Sequence, residues 1–299
     1  MARRFFTLDV FTETALAGDP LAVVLDAEGL DDARMQAIAR EFNLSETVFV
    51  FEPRHPVHSA RVRIFTPGRE LPFAGHPTIG AACLIGHLRA PDILEARDLR
   101  IVLEEPVGDV VCLVRQRQGR ALAADFELPR LPERLEGAPT RDEIARGLGL
   151  TPDDIGFDRH EPSLFSAGAP FLFVPVRSLS AIARARPGDM PWSKNAGPAA
   201  YLYTREVVEA GSAFHARMFG GDWGVPEDPA TGSAAAAFAG VALAFERPQD
   251  GEHVLVIEQG FEMGRPSRIV LGFEVRDAAL RSASIGGSAV IVANGALDL

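Results

Sequence analysis

The chain has 299 residues, of which 47% are hydrophobic and 24% charged, and its formal net charge is −11 at pH 7. That length suits one large domain or two ordinary ones, each with a real core. The acidic balance argues against a nucleic-acid backbone or an anionic membrane surface as partner, because both need clustered Lys and Arg. A small anionic substrate stays open, since local amides and one or two arginines can override the global field.

The opening residues, MARRFFTLDVF, carry no long apolar stretch and no small-residue cleavage site, and do not read as a signal peptide. The longest apolar run, 234–245, is too short to span a bilayer. Cys83 and Cys112 show neither CxxC spacing nor a flanking His, so no metal or redox site is expected. A cytoplasmic protein with two buried thiols is the plain expectation.

Alternation predicts a strand over 5–11, then a Gly18-Asp19-Pro20 turn and the apolar run 21–25. Asp31 or Asp32 caps a helix carrying Met35, Ile38, Ala39 and Phe42, with Asn43 as its stop. Ser45-Glu46 then leads into a strand over 47–51, and a second strand covers 59–66. After the Pro67-Gly68 turn, the segment 70–80 opens a helix over about 77–88, and two strands around Gly108 span 99–114. The stretch 126–139 reads as a crossover, and Thr140-Arg141-Asp142-Glu143 as a capping box.

The second half repeats the plan. Ser166-Ala167-Gly168-Ala169 enters a strand over 170–176, much as Ser45-Glu46 enters its own. A short helix near 178–185, strands over 200–203 and 215–219, and a helix over about 233–245 follow. The duplication is clearest in two segments. Arg63-Ile64-Phe65 precedes Glu70-Leu71-Pro72-Phe73-Ala74-Gly75-His76, and Arg217-Met218-Phe219 precedes Glu227-Asp228-Pro229-Ala230-Thr231-Gly232-Ser233. A period of half the chain excludes a solenoid.

Residues 234–245 and 78–84 are apolar nearly all the way round, so each of these helices must be enclosed by protein. The expected architecture is α+β, with two pseudo-symmetric halves, each a curved, mostly antiparallel sheet wrapped around a central helix. The halves fall at 1–125, with a C-terminal strand over 286–299 as the candidate to complete that half, and at 126–285, with the active site expected in the cleft between them. A helix N-terminus carries free amides and about half a positive charge, which suits a carboxylate. Gly75 and Gly232 lie at these two starts, and Pro77 suits a first helical turn.

Together and in order, several motifs resemble the PhzF-like family of isomerases within the diaminopimelate-epimerase-like fold. They are Ser45-Glu46-Thr47-Val48-Phe49-Val50, Arg63-Ile64-Phe65-Thr66-Pro67, Glu70 to Thr78, Glu227 to Ala234, Gln259-Gly260 and Met263-Gly264-Arg265-Pro266-Ser267. The resemblance covers essentially the whole chain. It implies a homodimer that needs no cofactor or metal and moves a proton on a small unsaturated or amino carboxylate.

On its own, Glu46 reads as a surface glutamate at a strand start; the resemblance makes it the general acid–base, with its pKa raised by burial. His76 reads either as a helix cap or core hydrogen-bonder, or, by resemblance, as a substrate-site residue that orients the substrate or relays a proton. Asp228 is either a turn former before Pro229 or a catalytic group, and Ser233 either a helix cap or a catalytic group. Gly75, Pro77, Thr231 and Gly232 are the expected substrate-binding positions.

Arg63 and Arg217 are expected to pair with Glu70 and Glu227, and Gln259-Gly260 to shape a nearby loop. Arg265 reaches either a ligand or another subunit. Diaminopimelate epimerases and proline racemases of this fold use a thiol at each central-helix start. Here His76 and Ser233 occupy those neighbourhoods, which disfavours two-thiol chemistry. A racemase of the same fold and a non-catalytic carboxylate-binding protein are the rival readings. No Gly-rich phosphate loop follows a strand in the required form, so no nucleotide cofactor is indicated.

Overall fold

A helix with no polar face has to be covered on every side, and in the computed structural model two helices of this kind each organise a compact unit. The structure describes residues 2–116, 121–223 and 225–299. One unit comprises Met1–Glu127 with Gly286–Leu299, and the other Leu128–Ile285.

The first unit holds β1 (Arg3–Val10), β2 (Asp19–Val24), α1 (Asp32–Phe42), β3 (Glu46–Phe51), β4 (Ala60–Phe65), β5 (Glu70–Leu71), α2 (Gly75–Arg89), α3 (Pro91–Ala96), β6 (Leu99–Glu105), β7 (Gly108–Gln116) and β8 (Leu122–Glu127). Twelve consecutive residues of α2, 75–86, are buried. It packs against β1, β2, β3, β6, β7 and β8. Local chemistry sets α1: Asp31 accepts from Arg34 N at its start, and Asn43 ends it in the left-handed region.

The second unit holds β9 (Glu133–Leu135), α4 (Arg141–Leu148), β10 (Ser163–Ser166), β11 (Pro170–Pro175), α5 (Leu179–Arg184), β12 (Ala199–Thr204), β13 (Phe214–Phe219), α6 (Gly232–Val241), β14 (Gly251–Gln259) and β15 (Ser267–Arg276). The last strand, β16 (Ala279–Leu297), begins here and ends in the first unit, where it pairs antiparallel with β1. The capping box at Thr140 and Glu143 forms at the start of α4. In α6 every residue except Ser233 is buried. Its alanines leave room for Phe238 to meet Tyr203 and Phe214 edge-on, each at 4.9 Å between ring centroids. Among the described residues no helix is long and apolar enough to cross a membrane.

Taken separately, the two units repeat one order of pairings. In the first, β2 runs parallel to β3, β3 antiparallel to β4, β4 parallel to β6, and β6 antiparallel to β7. In the second, β11, β12, β13, β14 and β15 follow the same sequence. Registers give residue equivalences. Leu21 lies opposite Glu46 and Phe171 opposite Ala199; Thr47 lies opposite Phe65 and Ala200 opposite Phe219. The strand over 170–175 therefore corresponds to β2, and Gly168-Ala169-Pro170 matches Gly18-Asp19-Pro20. The expected likeness to Ser45-Glu46 is corrected: residues 163–166 form a strand of their own that turns back through Gly168 into β11.

Both core helices start earlier than periodicity suggests. α2 begins at Gly75 rather than Pro77, and α6 at Gly232 rather than Ser233. After Val241 the second helix widens into a π turn over Ala242–Glu246, which Arg247 closes in the left-handed region.

The same registers equate Glu105, at the end of β6, with Gln259, at the end of β14. Each bonds to the opening of its core helix. Thr78 has one hydroxyl proton and lies 2.7 Å from Ala74 O and 2.8 Å from Glu105 Oε1. Both bonds form when Glu105 is protonated and donates to Thr78. Burial raises the Glu105 carboxyl to about 8. Glu105 is thus neutral at pH 7.

An unfolded glutamate ionises near about 4.3, so between that pH and 8 the folded chain binds the extra proton and stability falls as pH rises. Glu105→Gln keeps a donor towards Thr78 and removes this loss. Its unfolding free energy from urea titration should exceed that of the parent at pH 8 by on the order of 2–4 kcal/mol, and converge with it at about pH 4. Gln259→Leu should lower the unfolding free energy by on the order of 2–4 kcal/mol at any pH, because buried groups on Thr231 and Asp228 lose their partner.

Candidate active site

Gly18 is in the left-handed region at φ 65°, and a Cβ there would lie 2.3 Å from Val10 O. Only glycine makes this turn, and the turn delivers Asp19 as the first residue of β2, fully buried. Because β3 runs parallel to β2, both strands start at the same end, and Glu46 is the first residue of β3. His76 is the second residue of α2. The three side chains meet: His76 Nδ1 lies 2.9 Å from Asp19 Oδ2, and Nε2 lies 3.3 Å from Glu46 Oε2.

The structure thus brings Glu46 and His76 together and adds Asp19, which the sequence reading placed in a turn. The available signal was a carboxylate inside Gly-Asp-Pro directly before a wholly apolar strand, where a buried charge demands a partner. The α2 N-cap position is Ala74, which has no side-chain oxygen to accept from the first-turn amides. Gly75, His76 and Pro77 form that turn, all buried.

In the second unit Asp228 forms a bridge with Met218, and its carboxylate accepts from Thr231 Oγ1 at 2.6 Å. Gln259 locks this turn. Its Nε2 donates to Asp228 O at 2.7 Å and Thr231 Oγ1 at 3.0 Å, while its Oε1 accepts from Thr231 N at 3.2 Å. A Cβ on Gly260 would lie 2.6 Å from Pro229 O and 2.4 Å from Arg265 O, so the Gln259-Gly260 pair is fitted to the backbone it holds. Ser233 is half-buried in the first turn of α6; the cap position belongs to Thr231, whose side chain turns to Asp228 instead. Arg265 donates its backbone N–H to Gly260 O at 2.9 Å.

The expected ion pairs are present. Arg63 binds Glu70 through both Nε and Nη2 and reaches Asp32 at 2.7 Å. Arg217 binds Glu227 at 2.7 and 2.9 Å and donates to the carbonyls of Ile182 and Ala185. Each staples a strand to the segment that leads into a core helix, a structural role. Cys83 and Cys112 are fully buried, and burial pushes both thiols well above the ordinary range, so neither serves as a proton-transfer thiolate.

By register, Asp19, Glu46 and His76 of the first unit match Ala169, Ala199 and Ser233 of the second, while Asp228 matches Leu71. The two copies share a frame but not a chemistry.

A family model described as phenazine biosynthesis-like protein, PhzC-PhzF, matches residues 8–295. The chain is 50% identical over 302 residues to an uncharacterized isomerase of Mesorhizobium japonicum, covering 99% of this chain and 98% of that one. It is 33% identical over 296 residues to the trans-2,3-dihydro-3-hydroxyanthranilate isomerase of Pseudomonas fluorescens, covering 99% of each. The crystal structure of a PhzF-family phenazine biosynthesis protein from Bacillus anthracis matches with a TM-score of 0.88 at 26% identity, covering 100% of both chains. The chain therefore belongs to the phenazine biosynthesis-like (PhzF) family and is an isomerase with the diaminopimelate-epimerase-like α+β fold.

Proposed function

We propose that this isomerase relocates a proton on a small unsaturated or amino carboxylate, with Glu46 as general acid–base and no cofactor. The observation that carries the reading is the Glu46 carboxylate, 16% exposed and 3.3 Å from the His76 imidazole at the start of a buried helix. A base in that setting is shielded from bulk water yet open on one side, as proton abstraction from carbon requires.

In the proposed reaction Glu46 takes a proton from a carbon next to a conjugated system. The C–H electron pair enters that system, and the positive end of α2 stabilises the charge developing on the substrate carboxylate. Protonated Glu46 then gives the proton to another carbon of the same system. Asp228, Thr231, Gly232 and Ser233 are proposed as the second unit's contribution to catalysis and binding. The two core cysteines support a carboxylate rather than a thiol as the base.

A relative at 33% identity carries the name trans-2,3-dihydro-3-hydroxyanthranilate isomerase, which makes that compound the first to try. In deuterated water the wild type should convert it, or another small unsaturated carboxylate, with relocation of hydrogen that mass spectrometry detects. Glu46→Gln should melt at the same temperature and lose roughly 10²–10⁴-fold in turnover. Near-full turnover by that variant would remove Glu46 from the role.

A further inference from the structure

The mechanism above uses one end of a line of three ionisable groups. Exposure of their side chains falls from 16% at Glu46 to 7% at His76 and 0% at Asp19, with separations of 3.3 and 2.9 Å. An imidazole is thus flanked by two carboxylates, one of them fully inside the core. The turn itself does not call for a carboxylate, because the matching turn of the second unit, Gly168-Ala169-Pro170, enters its strand through alanine. Keeping an ionised group at full burial is costly without a compensating charge, and the ring of His76 faces this one.

Other ionisable groups on the elements packed against α2 are engaged elsewhere. Asp9 on β1 accepts from Leu16 N at 2.6 Å, and Glu105 on β6 pairs with Thr78. Glu104 accepts from the amides of Arg54 and His55 and bonds His58, which also has Asp109 at 3.8 Å. Arg115 on β7 spans Asp98 and Asp125. Cys83 and Cys112 are buried thiols, while Asp92, Glu95 and Glu127 are exposed. Asp19 and Glu46 are the carboxylates placed against the His76 ring, one at each nitrogen.

Resting on the reading of Glu46 as the base, we propose that Asp19 is a positioning residue that keeps His76 an imidazolium, whose charge holds Glu46 ionised and ready to take the proton. The substrate C–H bond breaks, its electron pair enters the substrate's π system, and the proton forms an O–H bond on Glu46. That O–H bond then breaks as a C–H bond forms at the second carbon with an electron pair returned from the π system, so protons and electrons balance with no further reactant. Asp19 stabilises the imidazolium; without its charge His76 is neutral and Glu46 loses the positive neighbour that holds it ionised.

The test is nitrogen NMR of the free protein labelled with 15N-histidine, together with kinetics on the carboxylate that the deuterium assay identifies. The His76 signal is assigned by its loss in His76→Gln. In wild type, His76 should show imidazolium-type shifts at neutral pH. In Asp19→Asn it should become neutral there, with its inflection lower by about one pH unit or more, and kcat should fall about 10²-fold with little change in KM. A neutral His76 ring in wild type between about pH 6 and 8 overturns the proposal even if no Asp19 variant folds. So does a His76 titration unchanged in Asp19→Asn, or a kcat within about threefold of wild type. The spectra need no substrate, so they stand or fall apart from the assignment of Glu46, which the deuterium assay decides.

Discussion

The constraint on which the rest depends is that α2 and α6 offer water no polar side, so each has to be wrapped by strands. Wrapping explains the many short, curving strands, and the glycine and alanine content of both helices explains how strands can approach so closely. It also fixes where chemistry can reside. A helix enclosed along its length is accessible at its ends, and at both N-termini the N-cap residue's own side chain makes no capping bond. Strand ends deliver polar groups to those openings: Asp19 and Glu46 in one unit, Gln259 in the other.

Duplication preserved the scaffolding and released the functional positions. Arg63–Glu70 and Arg217–Glu227 occupy matching places. Glu104 and Glu258 are equivalent by register, and each gathers two backbone amides of a preceding loop and a histidine ring. These pairs hold strands and loops in place, and either copy would fail without them. By contrast, the positions of Asp19, Glu46 and His76 carry Ala169, Ala199 and Ser233 in the other copy. Where a side chain is not needed to hold its own unit together, the two halves were free to diverge.

Features set by nearby residues were legible before the structure. The caps at Asp31, Asn43 and Thr140 are local, and both arginine–glutamate staples follow from a repeated spacing. The two apolar helices announced themselves through composition alone. Glu46 and His76 emerged from motifs, whereas Asp19 did not, because Gly-Asp-Pro satisfies turn chemistry by itself and conceals a carboxylate with a tertiary partner. The strands β14 and β15 were also missed. Val254 is 68% exposed and Val270 37%, so apolar residues occupy both faces and the two-residue alternation is lost. The strand β10 was missed for a related reason: four residues are too few for a period to show.

The path of β16 bears on how the molecule is made. The second unit is one continuous stretch, Leu128–Ile285, and its contacts are all available before the later part of the last strand is synthesised. The first unit is not: β1 pairs from Arg3 to Val10 with Leu297 to Ala289, which follow the second unit in sequence. Although most of its residues leave the ribosome before the second unit's, they wait with an open edge until Ala289–Leu297 have followed. The half bearing Glu46 and His76 is therefore the last to be sealed, and a chain truncated by even a dozen C-terminal residues would carry every catalytic candidate and still leave β1 without its partner.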